Sequence, residues 1–237
     1  MLPFNAVLFD MDGTLVDTEP LWQQAETELM AEYGVEWTEA DQAHALGGST
    51  ERVARYMIGL IEQAGSRPPT AEQLAQQFLD VMLTQLLTEP PEPQPGVAHL
   101  LRSVRESGLP TALVSSSSRP LVNAVLAAIG SEWFDRTISA DDVERHKPDP
   151  LPYLQAAGQL GIDPAWSFVI EDSPTGAAAA TAAGAFVLAV EHLAAIAPLP
   201  RRVVTDTLAG LDVSTMAELF IPPDAFEGAL PGSGGAQ

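Results

Sequence analysis

Asp10 and Asp12 stand two residues apart in DMDGT, directly after the apolar run AVLF at 6–9. Two carboxylates so placed can divide labour. One serves as nucleophile or metal ligand, and the other handles protons. A solvated Asp-Gly turn would read the same way. Glu171 and Asp172 follow another apolar run, SFVI at 167–170. Adjacent acids at a strand end are costly unless a cation lies among them, and oxygen ligands of this kind suit Mg²⁺. Ser115 follows a third run, TALV at 111–114. Helix capping accounts for Ser118 before Pro120, but it leaves Ser115 unexplained. A hydroxyl beside a helix N-terminus suits a phosphate oxygen. Lys147, in ERHKPDP, is the single lysine of a chain with ten arginines. A compact ammonium, which a planar guanidinium cannot replace, would explain it; composition drift would too. The acids Asp10, Asp12, Glu171 and Asp172 would then meet at one sheet edge. A divalent metal balances two of those charges, and Lys147 is a candidate for a third.

Elements that could assemble these residues are legible as a rhythm. Short apolar runs at 6–9, 111–114, 167–170, 186–190 and 202–204 alternate with helix-length segments at 97–107, 120–129, 151–160 and 174–183. Near-continuous apolar runs separated by helices indicate a parallel sheet covered on both faces. In such sheets, sites form at the carboxyl ends of the strands. The expected fold class is α/β, a Rossmann-like doubly wound parallel sheet with an inserted all-helical domain. Residues 19–88 break the rhythm with a helical period, in which Trp22, Ala25, Leu29 and Tyr33 share a face. Two linkers bound the insert, the second being the proline-rich TEPPEPQPG at 88–96. The expected boundaries are a core of 1–18 and 89–222, a helical cap of 19–88, and a frayed tail of 223–237.

The chain of 237 residues carries a formal charge of −21, with 32 acidic residues against 11 basic ones and no basic cluster. A nucleic-acid or anionic-membrane partner is not expected. No run of about 18 apolar residues occurs, so no membrane span is expected, and neither is a signal peptide. Cysteine is absent, which excludes disulfide and thiol chemistry. The reading is a cytoplasmic protein, monomeric or weakly dimeric.

With these residues in view, the chain resembles the haloacid dehalogenase superfamily over about residues 4–220. DMDGT, Ser115, Lys147-Pro148 and Glu171-Asp172 match its four motifs in order. The helical insert matches its α-helical cap type. The stretch at 17–35 is similar to the sugar and hexitol phosphate phosphatases of the superfamily. The resemblance implies that Asp10 attacks phosphorus and that Asp12 works as general acid and base. It implies Mg²⁺ held by Asp10, Asp12 and Asp172, with Glu171 in or near the shell. Thr14, Ser115 and the adjacent Ser116 would bind phosphoryl oxygens, and Lys147 would bridge Asp10 and the phosphate. An acid at position 12 argues against dehalogenation, because the dehalogenases of the superfamily lack it.

The cap is expected to close over the site, with LGGSTER at 46–52 as its specificity loop and Gly48, Ser49 and Arg52 as substrate contacts. A plain helix–helix turn would read the same. Sugar-phosphate mutases that resemble this chain carry an arginine in that loop. Here Glu51 takes the comparable place, with Arg52 next to it, so hydrolysis is the expected reaction and a β-phosphoglucomutase-type mutase the alternative. A non-catalytic phospho-metabolite binder would lack one of Asp10, Asp12, Lys147 or Asp172, and all are present.

Overall fold

The structure is a computed structural model that describes residues 2–45, 50–192 and 194–226, with 50 and 51 described by backbone alone. By their contacts the residues form two compact units: Met1–Leu15, Gln94–Ser116 and Ser131–Gln237 in one, Val16–Pro93 and Ser117–Gly130 in the other. The helical unit thus includes Ser117–Gly130, beyond the insert at 19–88 read from the sequence.

The first unit holds one six-stranded parallel sheet: β1 Ala6–Phe9, β2 Thr111–Val114, β3 Arg136–Ile138, β4 Ser167–Glu171, β5 Phe186–Val190 and β6 Arg202–Thr205. The strands run β3-β2-β1-β4-β5-β6 across the sheet. Val7 pairs with Thr111 on one side and Phe168 on the other. Chain order reverses between β1 and β4, the switch point at which doubly wound sheets bind ligands. β1, β2, β4 and β5 are buried along their whole length, which explains their unbroken apolar runs. β3 was not anticipated. Its sequence RTI is polar because it is an edge strand whose first residue is exposed.

Helices follow the strands. α5 Val97–Ser107 starts after Gly96 at φ 92° and stops at Gly108 at φ 72°, positive angles that glycine adopts without steric cost. α7 Leu151–Leu160 ends at Gly161 at φ 70°. In α8 Pro174–Ala182, the Ser173 hydroxyl caps by accepting from the Gly176 N–H. α7 and α8 pack on one sheet face through Tyr153, Ala156, Ala177 and Ala180 against Leu8, Val169 and Val187. Elsewhere the rings of Phe4, Phe168, Phe186 and Phe220 pack as a tilted cluster with centroids 4.9–5.5 Å apart, with Phe220 at the end of α9 Val213–Leu219. Phe4, Phe168 and Phe186 are fully buried, and each contributes about 2–3 kcal/mol.

The second unit is helical: α1 Glu19–Glu32, α2 Glu39–Ala45, α3 Thr50–Gln63, α4 Ala71–Thr88 and α6 Arg119–Ile129. Ala25 and Leu29 are buried in α1, as their period implied, while Trp22 and Tyr33 are half-buried. Glu26 unexpectedly lies in the buried stripe. Burial and the charge of Glu19 push its carboxyl up to about 7. Ser118 precedes α6 but makes no side-chain cap. No helix of the described residues is long and apolar enough to cross a membrane. Of the tail, Pro223–Phe226 form one 3-10 turn; 227–237 lie outside the described residues.

Candidate active site

Asp10 follows β1, and its backbone N–H donates to Ile170 O of β4 at 3.0 Å. That bond fixes the first acid to the strand that carries Glu171. The chain then turns at Gly13, φ +79°, where a Cβ would overlap the Asp172 carboxylate. Glycine is required there twice over, by the angle and by the close approach. Thr14, next in the turn, donates its hydroxyl to Asp172 Oδ1 at 3.0 Å. Ser115 leaves β2 with its backbone N–H on Ile138 O at 2.9 Å, and its hydroxyl donates to Asp12 Oδ2 at 3.2 Å.

Lys147 reaches the same place from the loop before α7. Its ammonium donates to Asp10 Oδ1 at 2.6 Å, Glu171 Oε1 at 2.6 Å and Val114 O at 2.9 Å. An ammonium has three protons, and all three are placed. A planar guanidinium cannot meet three acceptors grouped around one point. Asp10 Oδ2, by contrast, receives no hydrogen bond from the described residues.

Glu171 is fully buried, and its carboxylate is saturated. Oε1 accepts from Lys147 and from the Tyr153 hydroxyl at 2.8 Å; Oε2 accepts from the Ser173 N–H and hydroxyl, both at 3.0 Å. Ser173 therefore both caps α8 and holds Glu171. Tyr153 and Gly176 escaped the sequence reading, because both lie inside helices, away from the strand ends and loops that it singled out. A signal existed for Gly176, a glycine in the first turn of an otherwise alanine-rich helix.

One oxygen from each of Asp10, Glu171 and Asp172 lies within 4.8 Å of the others. When all three buried carboxylates are ionised they face one buried ammonium, so 3 − 1 leaves two negative charges. The electrostatics reflect that excess. Burial, and then the Glu171 charge, push Asp172 up to about 7 despite the Thr14 hydrogen bond. Burial and Glu171 likewise raise Asp10 well above the ordinary carboxylate range, although Lys147 opposes them. Burial alone would lower the Lys147 pKa, but Asp10 and Glu171 reverse its effect and hold the ammonium charged. Burial also raises Tyr153 and keeps its phenol a donor. An oxygen-only set with two uncompensated charges fits a hard divalent cation. Within it, Asp10 and Asp172 have oxygens to offer, whereas the hydrogen bonds of Glu171 occupy both of its own.

Ser116 is exposed. Gly48 and Ser49 lie outside the described residues. Arg52, in α3, is exposed and donates to Ala45 O at 3.2 Å. A cleft of about 450 Å³ lined by Arg105, Asp135, Arg136 and Gln159 opens where β2 and β3 begin, at the sheet edge opposite the acids.

The haloacid dehalogenase-like hydrolase family model matches residues 7–190, a span that contains the whole acid cluster. The chain belongs to this family. Among its relatives is the fructose-1-phosphate phosphatase of Escherichia coli, 33% identical over 182 residues, which are 76% of this chain and 93% of that protein. Hexitol phosphatase B of the same species is 32% identical over 180 residues, 75% of this chain and 79% of that one. The crystal structure of CbbY from Rhodobacter sphaeroides with xylulose-(1,5)bisphosphate superposes with a TM-score of 0.74 at 27% identity, covering 88% of this chain and 96% of the other.

Proposed function

We propose that this family member is a Mg²⁺-dependent phosphatase of a small sugar or polyol phosphate, acting through a phosphoryl group carried on Asp10. The observation that carries the reading is the asymmetric hold on Asp10: Oδ1 is gripped by Lys147, while Oδ2 has no donor among the described residues. One oxygen is neutralised and oriented, and the other is left to attack. The sugar and hexitol phosphatases among its relatives support the substrate class.

In the first half-reaction, an Asp10 oxygen forms a bond to phosphorus while the bond from phosphorus to the sugar oxygen breaks. Asp12 gives its proton to that leaving oxygen. In the second, water attacks phosphorus, Asp12 takes a proton from it, and the Asp10–phosphorus bond breaks. Ser115 steers Asp12 toward these transfers through its hydrogen bond. Lys147 favours the charged form of Asp10 against burial and offsets the repulsion between two anions. Asp10, Asp172 and the Asp12 main chain would hold the Mg²⁺, which when bound neutralises charge on the phosphoryl oxygens and aligns them. Glu171 stays outside that shell as the counter-charge of Lys147.

The test is phosphate release with Mg²⁺ and with EDTA across sugar, polyol, nucleotide and glycolate phosphates. Metal-dependent release with the highest kcat/KM on a sugar or polyol phosphate is expected. Conversion of glucose 1-phosphate to glucose 6-phosphate without phosphate release would establish a mutase instead.

A further inference from the structure

We infer that Tyr153 is a positioning residue of this active site, setting the Lys147 ammonium through Glu171; its catalytic consequence rests on the function proposed above. Position 153 lies in the first turn of α7, and its side chain is 0% exposed. A phenylalanine there would fill nearly the same volume with no hydroxyl to desolvate, and burying a hydroxyl is costly unless it is bonded. The Tyr153 hydroxyl has one specific partner, the Glu171 oxygen that Lys147 also grips. The ring of the same tyrosine lies beneath Lys147, with Nζ 5.0 Å from its centroid, within cation–π range. One side chain therefore touches both members of the ion pair.

The consequence is geometric. Glu171 Oε2 is fixed by Ser173 and Oε1 by Tyr153, so the carboxylate cannot rotate. A fixed Glu171 oxygen and the Val114 carbonyl then leave the ammonium one orientation for its third proton, toward Asp10. Without the hydroxyl, Oε1 keeps only Lys147. The carboxylate can then pivot about the oxygen that Ser173 holds, so Oε1 follows the ammonium and Asp10 loses its fixed partner. Fully satisfied buried networks hold their geometry, and partly satisfied ones do not.

Lys147 is the chain's single lysine, so nitrogen-15 lysine labelling gives one ammonium resonance that needs no assignment. Tyr153→Phe should leave the protein folded by circular dichroism, shift that resonance and speed its proton exchange. It should also lower kcat on the order of tenfold with KM within about twofold, the scale on which partners of site ligands act. Glu171→Gln supplies the second arm. If Tyr153 acts through Glu171, the double variant should be no slower than Glu171→Gln alone. An unchanged Lys147 resonance in Tyr153→Phe overturns the inference whatever the activity does. A shifted resonance with wild-type kcat, or additive losses in the double variant, also overturns it. A wild-type protein that releases no phosphate defeats the proposed function instead, and the resonance still decides whether Tyr153 places Lys147.

Discussion

Gly176, in the first turn of α8, lies so close to Glu171 that a methyl group on its Cα would overlap the carboxylate. Replacing a helical glycine with alanine ordinarily stabilises a protein by roughly 0.5–1 kcal/mol. Gly176→Ala should do the reverse. The overlap displaces Glu171, releases Lys147, and lowers both Tm and kcat, the latter at least about tenfold. Gly158→Ala in α7 is the control, because its Cβ would meet nothing within 4 Å. That variant should gain stability and keep full activity. A Gly176→Ala protein as stable and active as the Gly158→Ala control would show that the Glu171 seat is not tight.

Metal and protons should compete for the same carboxylates. Burial and Glu171 push Asp172 from its ordinary 3.8 up to about 7, and Asp10 is raised as well. Between those values the folded state binds more protons than the unfolded chain. Metal-free stability should therefore fall as pH rises from about 4 through about 7. The increment in Tm between EDTA and Mg²⁺ should be small at pH 5 and large at pH 8. Asp172→Asn should flatten that difference. Melts in which Mg²⁺ stabilises more at pH 5 than at pH 8 would contradict the charge count of the cluster.

Much of this site is legible in the sequence because its residues sit where strands end. Asp10, Ser115 and Glu171 each terminate an unbroken apolar run, and those runs are unbroken because both faces of the strands are buried. What was not legible depends on tertiary approach. Tyr153 looks like any core aromatic on a helix until the fold brings Glu171 to its hydroxyl. Thr14 reads as a phosphate contact, yet its hydroxyl is engaged by Asp172. The sequence RTI of β3 carries no apolar run, because an edge strand with an exposed residue has no need of one. Glu26 gives no sign in sequence of its burial beside Ala25.

Lys147→Arg conserves charge and follows the chain's own preference for arginine, yet it should lose kcat/KM by at least about a hundredfold. The three acceptors at 2.6, 2.6 and 2.9 Å surround one nitrogen, and a fork of separated N–H groups cannot reproduce that arrangement. Lys147→Met should be worse. It leaves buried carboxylates without their partner, which typically costs about 3–5 kcal/mol of stability. Steady-state kinetics with thermal melts separate the two effects. Arginine retaining more than about a third of wild-type kcat/KM would mean that charge alone selected this lysine.

The most direct measurement is of the bond to Asp10 itself. The enzyme is mixed with a substrate identified in the phosphate-release panel, quenched in acid during turnover, digested, and read by mass spectrometry. A phosphoryl mass increment should appear on the peptide containing Asp10, vanish in Asp10→Asn, and persist longer in Asp12→Asn, where the hydrolysing water lacks its base. Full turnover with no adduct on that peptide, together with near wild-type phosphate release by a folded Asp10→Asn, would contradict the assignment of Asp10 as the nucleophile.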